Sequence, residues 1–359
     1  MQLLAFRVKQ ILRSDVNIVG IMADEPQTTA DDSNFNIDIP TMTDDSRFRS
    51  DEMVVCDECS RTNPPNRVTC LYCGADLEIK ELLPAAIKLS LQRPEAWEDG
   101  YTIAYLASSP LVPDMVSAAA EILHLDPTVL EKLADANASA PVAYLRSLSE
   151  AQVVATRLTE VGFPCAIVGD DLLIPRTPPS RLRGIEFTEA GAELLDFNTQ
   201  SRFRFYRTDE LLLVSGVICR ARSETTAKRS KRSMKVTDAA KSLNDEPVLD
   251  IYPPSDVFGF RVRVAGFDFS CLGDQMQRTG VENIQILMKT LPGHFPGAKI
   301  VNTYGSLRSE LDQIWPVAEN DRSSTVSRAS FGGVRVHRVS IADNTEQFNR
   351  FSRLQRHLR

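Results

Sequence analysis

Two Cys-x-x-Cys pairs constrain this chain more than any other feature in it: Cys56-Asp57-Glu58-Cys59, then ten residues, then Cys70-Leu71-Tyr72-Cys73. Two thiolates separated by two residues grip one ion from a single tight turn. Two such turns complete a tetrahedral all-sulfur site, the closed geometry of structural zinc. Gly74 follows the last cysteine, where a turn with positive φ lets backbone N–H groups point at sulfur. Asn63-Pro64-Pro65-Asn66 reads as the bend that joins the two knuckles. All four thiols must ionise to bind, so a ribbon over residues 53–80 is expected to fold around one Zn2+ ion. Four sulfurs leave no position open for water, which argues against a catalytic metal. The alternatives are two disulfides, which suit a secreted chain, or a redox pair. A thioredoxin-type site carries a single pair inside a βαβ unit.

The full pattern, Cys-x2-Cys-x3-Asn-x6-Cys-x2-Cys from Cys56 through Asn63 to Cys73, resembles nucleoporin-type zinc fingers and the broader zinc-ribbon group over residues 54–76. That resemblance implies a structural zinc and, among members of the class, binding of single-stranded RNA or of ubiquitin. The family's tryptophan two residues before the first cysteine is Val54 here, and the aromatic that stacks a base in RNA-binding members is Pro64. Base stacking is a main source of affinity at such sites, so its replacement counts against RNA. Arg61 and Arg67 are the finger's two cations; they can touch phosphate or form a solvated face.

The 359 residues are enough for two or three domains, and a 43% hydrophobic content allows real cores. A net charge of −7 provides no global attraction to nucleic acid or anionic membrane. No apolar run approaches the ~20 residues of a membrane span. The apolar patches of residues 1–22 are broken by Arg7, Lys9, Arg13 and Asp15, which makes a poor signal peptide. Residues 1–52 as a whole read as a disordered acidic leader. Isolated Cys165, Cys219 and Cys271 fit buried thiols in a reducing cytosol, and a cytoplasmic location without membrane contact is expected.

The expected fold class is α+β: the zinc ribbon, a small α/β sandwich at 97–175 and a larger mixed α+β domain at 180–316. Tyr101–Leu106 is strand-like. Asp114 opens a helix carrying Met115, Ala119 and Ile122, and Asp126-Pro127 caps a second. Val142–Leu145 is a strand, Ser149-x-x-Gln152 a capping box, and Cys165–Val168 a third strand. This β-α-α-β-α-β order resembles the C-terminal domain of the bacterial ribosomal stalk protein. The resemblance implies that fold. The family's lysine-rich first-helix face is Ser117-Ala118-Ala119-Ala120-Glu121 here, so the translation-factor activity does not carry over.

Residues 175–184 read as a linker. Strands are expected at Ile185–Thr188, Phe203–Tyr206, Leu211–Cys219, Phe260–Val264 and Lys299–Val301, with helices near 281–291 and 306–314. Between Arg220 and Asn244 the apolar pattern lapses while cations accumulate, among them Lys228, Arg229, Lys231 and Arg232. This reads as a flexible basic loop, either a phosphate or acidic-partner contact or a solvated insertion. The C-terminal piece, 317–359, offers a strand at Val334–Ile341 and a basic helix in which Arg350, Arg353, Arg356 and Arg359 recur every third residue.

No Walker loop, dinucleotide fingerprint, His-Glu-x-x-His or Gly-x-Ser-x-Gly is present. Asp268, Cys271, Asp274 and His294 are the one group worth testing as an active site. The leading expectation is a non-catalytic protein that binds a protein partner through the ribbon. The rival is nucleic-acid binding through Arg61, Arg67, residues 220–235, Arg350, Arg353 and Arg356. An enzyme with an unrecognised site in 180–316 is the third.

Overall fold

The computed structural model describes residues 48, 53–77, 89–95, 97–107, 111–174, 177–229, 234–254, 259–329 and 333–359, with backbone alone at 226–229, 234–239, 319–329 and 333–338. Apart from Phe48, the acidic leader expected at 1–52 lies outside these residues, as do ribbon residues 78–80.

The chain is α+β. The ribbon opens with β1 (Val54–Val55) antiparallel to β2 (Thr62–Asn63). Next comes a three-stranded antiparallel sheet, β3 (Tyr101–Tyr105) between β4 (Ala140–Leu145) and β5 (Cys165–Gly169). Helices α1 (Pro113–Leu123), α2 (Pro127–Asp135) and α3 (Leu148–Glu160) are laid down in the expected order. Local chemistry sets their ends. The Asp126 carboxylate accepts from Thr128 N–H at 2.9 Å ahead of Pro127, and His124 takes a left-handed φ of 53° to stop α1. Ser147, two residues ahead of the expected capping box, is the residue that caps α3. A short helix α4 (Asp170–Leu173) closes the layer.

The rest is a nine-stranded sheet made of β6 (Ser180–Thr188), β7 (Gly191–Asp196), β8 (Arg202–Tyr206), β9 (Leu212–Arg229), β10 (Met234–Tyr252), β11 (Phe260–Arg263), β12 (Lys299–Val301), β13 (Ala318–Ala329) and β14 (Gly333–Asp343). A 3-10 helix (Phe269–Gln275), α5 (Gly280–His294), α6 (Arg308–Ile314) and α7 (Thr345–His357) complete it. The order is β13-β14-β9-β10-β11-β6-β7-β8, with β12 parallel to the start of β9. Leu211–Val214 is a continuous apolar run because both faces of the sheet are covered there. Leu212 and Val214 enter a cluster with Ile103, Leu130, Phe163, Tyr304, Phe348 and Phe351. Leu211 and Leu213 enter another with Leu249, Phe260, Ile284 and Leu291. The first cluster takes residues from both the α/β layer and the large sheet, so the two share one core.

Two readings of the sequence are corrected here. Among the described residues, 220–229 and 234–244 are not a flexible loop. They belong to β9 and β10, paired without a break from Tyr252↔Leu212 to Asp245↔Cys219 and on to Met234↔Arg229 with one bulge. The reason is topological: β14 covers the other edge of β9 from Arg220 to Arg229, so this stretch is a central strand. The apolar alternation that marks a half-buried strand is absent because there is no core beneath it: Ala240 to Asp245 are all exposed. Likewise the linker expected at 175–184 ends early, since Ser180 already begins β6 and Leu182 is fully buried.

Helix α7 ties these parts together. Phe348, Phe351 and Leu354 are fully buried, each contributing roughly 1.5–3 kcal/mol of transfer free energy. Gly216 lets α7 approach β9: a Cβ there would lie 2.4 Å from the Phe348 ring. Beneath α7, Arg261 Nε and Nη2 donate to Asp250 at 2.6 and 2.7 Å, and Ser352 Oγ donates to the same carboxylate at 2.6 Å. Just ahead of α7, Asn344 fills the gap between β12 and β14 along β9. Its amide accepts from Cys219 N–H at 2.7 Å and donates to Val217 C=O at 3.0 Å, replacing the missing backbone partners.

Candidate metal centre

Each Cys-x-x-Cys pair sits at the tip of a small hairpin. In the first, β1 and β2 bring Cys56 N–H to Arg61 C=O at 3.0 Å, and Ser60 N–H donates to Cys56 C=O at 2.8 Å. In the second, a Thr69–Asp76 bridge and a Leu77 N–H to Val68 C=O bond frame the turn, while Gly74 N–H donates to Cys70 C=O at 3.0 Å. The residue after the second cysteine is left-handed in both, Ser60 at φ 56° and Gly74 at φ 75°. The expected need for positive φ at Gly74 holds. Its counterpart at Ser60 was hidden because serine gives no such signal.

The two hairpins bring the four sulfurs together. Cys56 Sγ lies 3.6 Å from Cys73 Sγ, Cys59 Sγ lies 3.6 Å from Cys70 Sγ, and all four fall within 4.8 Å of one another. A tetrahedral ion with metal–sulfur bonds of ~2.3 Å needs sulfurs about 3.8 Å apart, so the residues present fit a metal ion of zinc's size. All seven cysteines are free thiols among the described residues.

Asn63 is the residue that motif spacing placed in the pattern but left without a role. It is fully buried. Its side-chain amide donates to Arg61 C=O at 2.9 Å and to Cys70 Sγ at 3.4 Å, and its carbonyl accepts from Leu71 N–H at 2.8 Å. It therefore links both knuckles and polarises one ligand. Burial pushes the Cys70 thiol up, but hydrogen bonds from Cys73 and Tyr72 backbone and from Asn63 bring it down to about 6. At Cys73 the Ala75 backbone bond acts downward and is outweighed by burial and the three neighbouring thiols, which carry it up to about 12. The Arg61 backbone bond at Cys59 is outweighed in the same way, and that thiol is raised. Four thiols this close resist losing all their protons unless a cation neutralises the charge.

The ribbon rests on the α/β layer. Val68 packs against Val153 of α3, and Ser147 Oγ donates to the Asp76 carboxylate at 2.6 Å. Its outer surface carries exposed Val55, Leu71 and Tyr72, the last 56% exposed under the Arg61 guanidinium at 4.7 Å from the ring centre. Arg67 is exposed nearby in sequence.

The remaining candidates are scattered. Lys228 and Arg229 lie at the far end of β9, where only backbone is described, and Lys231 and Arg232 fall outside the described residues. The C-terminal arginines do not form one exposed edge. Arg350 Nη2 donates to Tyr144 Oη at 3.2 Å and lies 3.5 Å from Asp170, and Arg353 is buried and donates to Leu172 C=O at 3.1 Å. Arg356 reaches Pro254 C=O at 2.9 Å. These partners are far away in sequence, so helix periodicity alone could not show that the arginines turn inward. In the other tested group, the Cys271 thiol is pushed up to about 11 by burial and the Asp268 charge, the reverse of an activated nucleophile. Asp268 caps Ser270 N–H, and His294 stacks on Phe187 at 3.9 Å between ring centres.

No family model, no curated protein and no solved structure matches this chain. The nucleoporin-finger and stalk-protein resemblances thus gain no support beyond their motifs. Among the described residues no helix is long and apolar enough to cross a membrane.

Proposed function

We propose that the chain is a non-catalytic protein-binding protein of the cytoplasm whose ribbon holds one structural zinc ion and presents a docking surface. The observation that carries this reading is the four-sulfur cluster with Leu71 and Tyr72 exposed between two of its ligands. Four protein ligands leave no site for water or substrate, so the metal's work is to hold the turn that displays those side chains. Exposed aromatic and aliphatic residues on a rigid turn are the anchors a protein interface uses. The rival, nucleic-acid binding, draws on Arg61, Arg67 and the 220–235 stretch; Arg350 and Arg353, engaged within the fold, add little to it.

The test is a pull-down from native lysate with the intact chain beside Cys56→Ser/Cys59→Ser, reading metal content and nucleic-acid absorbance of both eluates. A nuclease-resistant protein partner lost together with the zinc is expected. Nucleic acid that co-purifies and is released by salt would overturn the reading in favour of the rival.

A further inference from the structure

Away from the ribbon, a groove of about 620 Å³ runs between β12 and the segment that leads from α2 into β4. That volume falls in the ~300–1,000 Å³ range of ligand sites. Its floor and walls include Leu212, Ile300, Ser139 and Leu358. Three observations on it point the same way.

The first is an open strand edge. Lys299 N–H donates to Leu211 C=O at 2.8 Å, and Lys299, Ile300 and Val301 run parallel to Leu212, Leu213 and Val214. In a parallel ladder alternate residues bond to alternate sides. Lys299 and Val301 are therefore committed to β9, and the N–H and C=O of Ile300 point the opposite way. Among the described residues no strand pairs with that edge. The second is charge: among the described residues the charged ones lining the groove are Lys299 and Arg359, both cations, Arg359 also reaching the exposed Glu210 at 3.3 Å. The third is an unmet polar atom. Thr303 lines the same groove, and its Oγ1, shut off from solvent, has no hydrogen-bond partner among the described residues.

We infer that this groove binds an extended acidic peptide segment of a partner protein, which adds as a strand beside β12. The peptide backbone would pair with Ile300 N–H and C=O, as in other strand-addition sites. Alternate side chains, on the face opposite Lys299, would rest on the apolar surface of Ile300, which is 43% exposed. Carboxylates on the peptide would meet Lys299 and Arg359. A short edge strand ending in a lysine is also a common guard against unwanted pairing. What sets this edge apart is the groove of about 620 Å³ beside it. The inference concerns a second surface and does not depend on the ribbon.

The test uses the full chain and a fluorescein-labelled pentapeptide that alternates glutamate and valine, followed by anisotropy. Saturable binding is expected, weakened about tenfold or more by Lys299→Glu, with a lysine–valine peptide binding the Lys299→Glu variant better than the parent chain. Methylating alternate backbone nitrogens of the acidic peptide should abolish binding. An unchanged circular dichroism spectrum for Lys299→Glu excludes misfolding as the cause. Cys56→Ser/Cys59→Ser should bind the peptide as the parent does, which separates this groove from the ribbon. Equal binding of acidic and basic peptides, full binding of the methylated peptide, or displacement of the label by a single-stranded oligonucleotide but not by unlabelled acidic peptide would each overturn the inference.

Discussion

Residues 53–77 and the body that follows them are built by different physics. The ribbon's buried apolar set is Cys56, Val68, Cys70 and Leu77; two of those four belong to the candidate metal site, and Val68 packs on Val153 outside the ribbon. The body instead packs two hydrophobic clusters on opposite faces of one sheet, with whole aromatic side chains such as Tyr304, Phe348 and Phe351 out of water. So few buried side chains cannot offset the conformational entropy of ordering about 25 residues, which costs roughly 1–2 kcal/mol each for the backbone alone. On the proposed reading, a metal bound by the four cysteines supplies what the ribbon lacks. The body needs no such help, and damage to one region should leave the other standing.

The largest expected effect breaks the ribbon alone. Cys56→Ser/Cys59→Ser should lose the metal, with apparent binding energies of about 10–16 kcal/mol at stake in comparable sites. The body's cooperative thermal transition should remain, as read by calorimetry. The reverse experiment is Asp250→Ala. Asp250 is fully buried and holds Arg261 and Ser352, so its removal strands a buried guanidinium and should destabilise the body by about 3–5 kcal/mol while zinc content stays at one per chain. Asn344→Ala should cost about 1–3 kcal/mol in chemical denaturation, because Cys219 N–H and Val217 C=O lose their partner on the β9 edge. The smallest effect is at the seam: Ser147→Ala removes the bond to Asp76 and the cap of α3, and should shift the transition by only about 0.5–1.5 kcal/mol.

Acid should separate the two regions along the pH axis. Metal binding needs ionised thiols, so the ribbon's affinity for zinc falls as pH falls from about 7 towards 5. In the body, Asp196 and Asp343 are held below the usual carboxylate range. Burial alone would raise each, and it is outweighed by bonds from Thr199 and Asn198 in one and from Thr345 and Arg220 in the other. A group whose folded pKa is lowered contributes stability fully present above its ordinary value and lost as pH falls through the lowered one. The body should thus hold until below about pH 4, after the zinc has gone. Zinc release and near-ultraviolet dichroism, followed in one titration, check the order.

The same contrast explains what the sequence could and could not reveal. The cysteine cluster was legible because metal ligation depends on a few residue types at fixed local spacing. The helices and strands from 101 to 169 were legible because each carries its own buried face, and α2 its expected Asp126 cap. The far halves of β9 and β10 were not, since they carry no apolar period, as in the exposed run Ala240–Asp245, and are specified by their neighbours, β14 above all. Nor was the inward turn of Arg350 and Arg353, whose partners Tyr144 and Leu172 lie far back in the chain. Asn63 lay in view within the motif. Its burial and its clamp on both knuckles needed the third dimension.

If a metal ion holds the ribbon while a hydrophobic core holds the rest, chelation should undo one and spare the other. Native mass spectrometry with hydrogen exchange, before and after chelation of the purified chain, reads both. One zinc per chain, lost on chelation, is expected, with amides of residues 53–77 then exchanging rapidly while those of β3 and the Leu212–Ile218 stretch of β9 stay protected. A ribbon whose protection survives chelation, or a metal-free chain lighter by four hydrogens because the cysteines have formed two disulfides, would contradict that expectation.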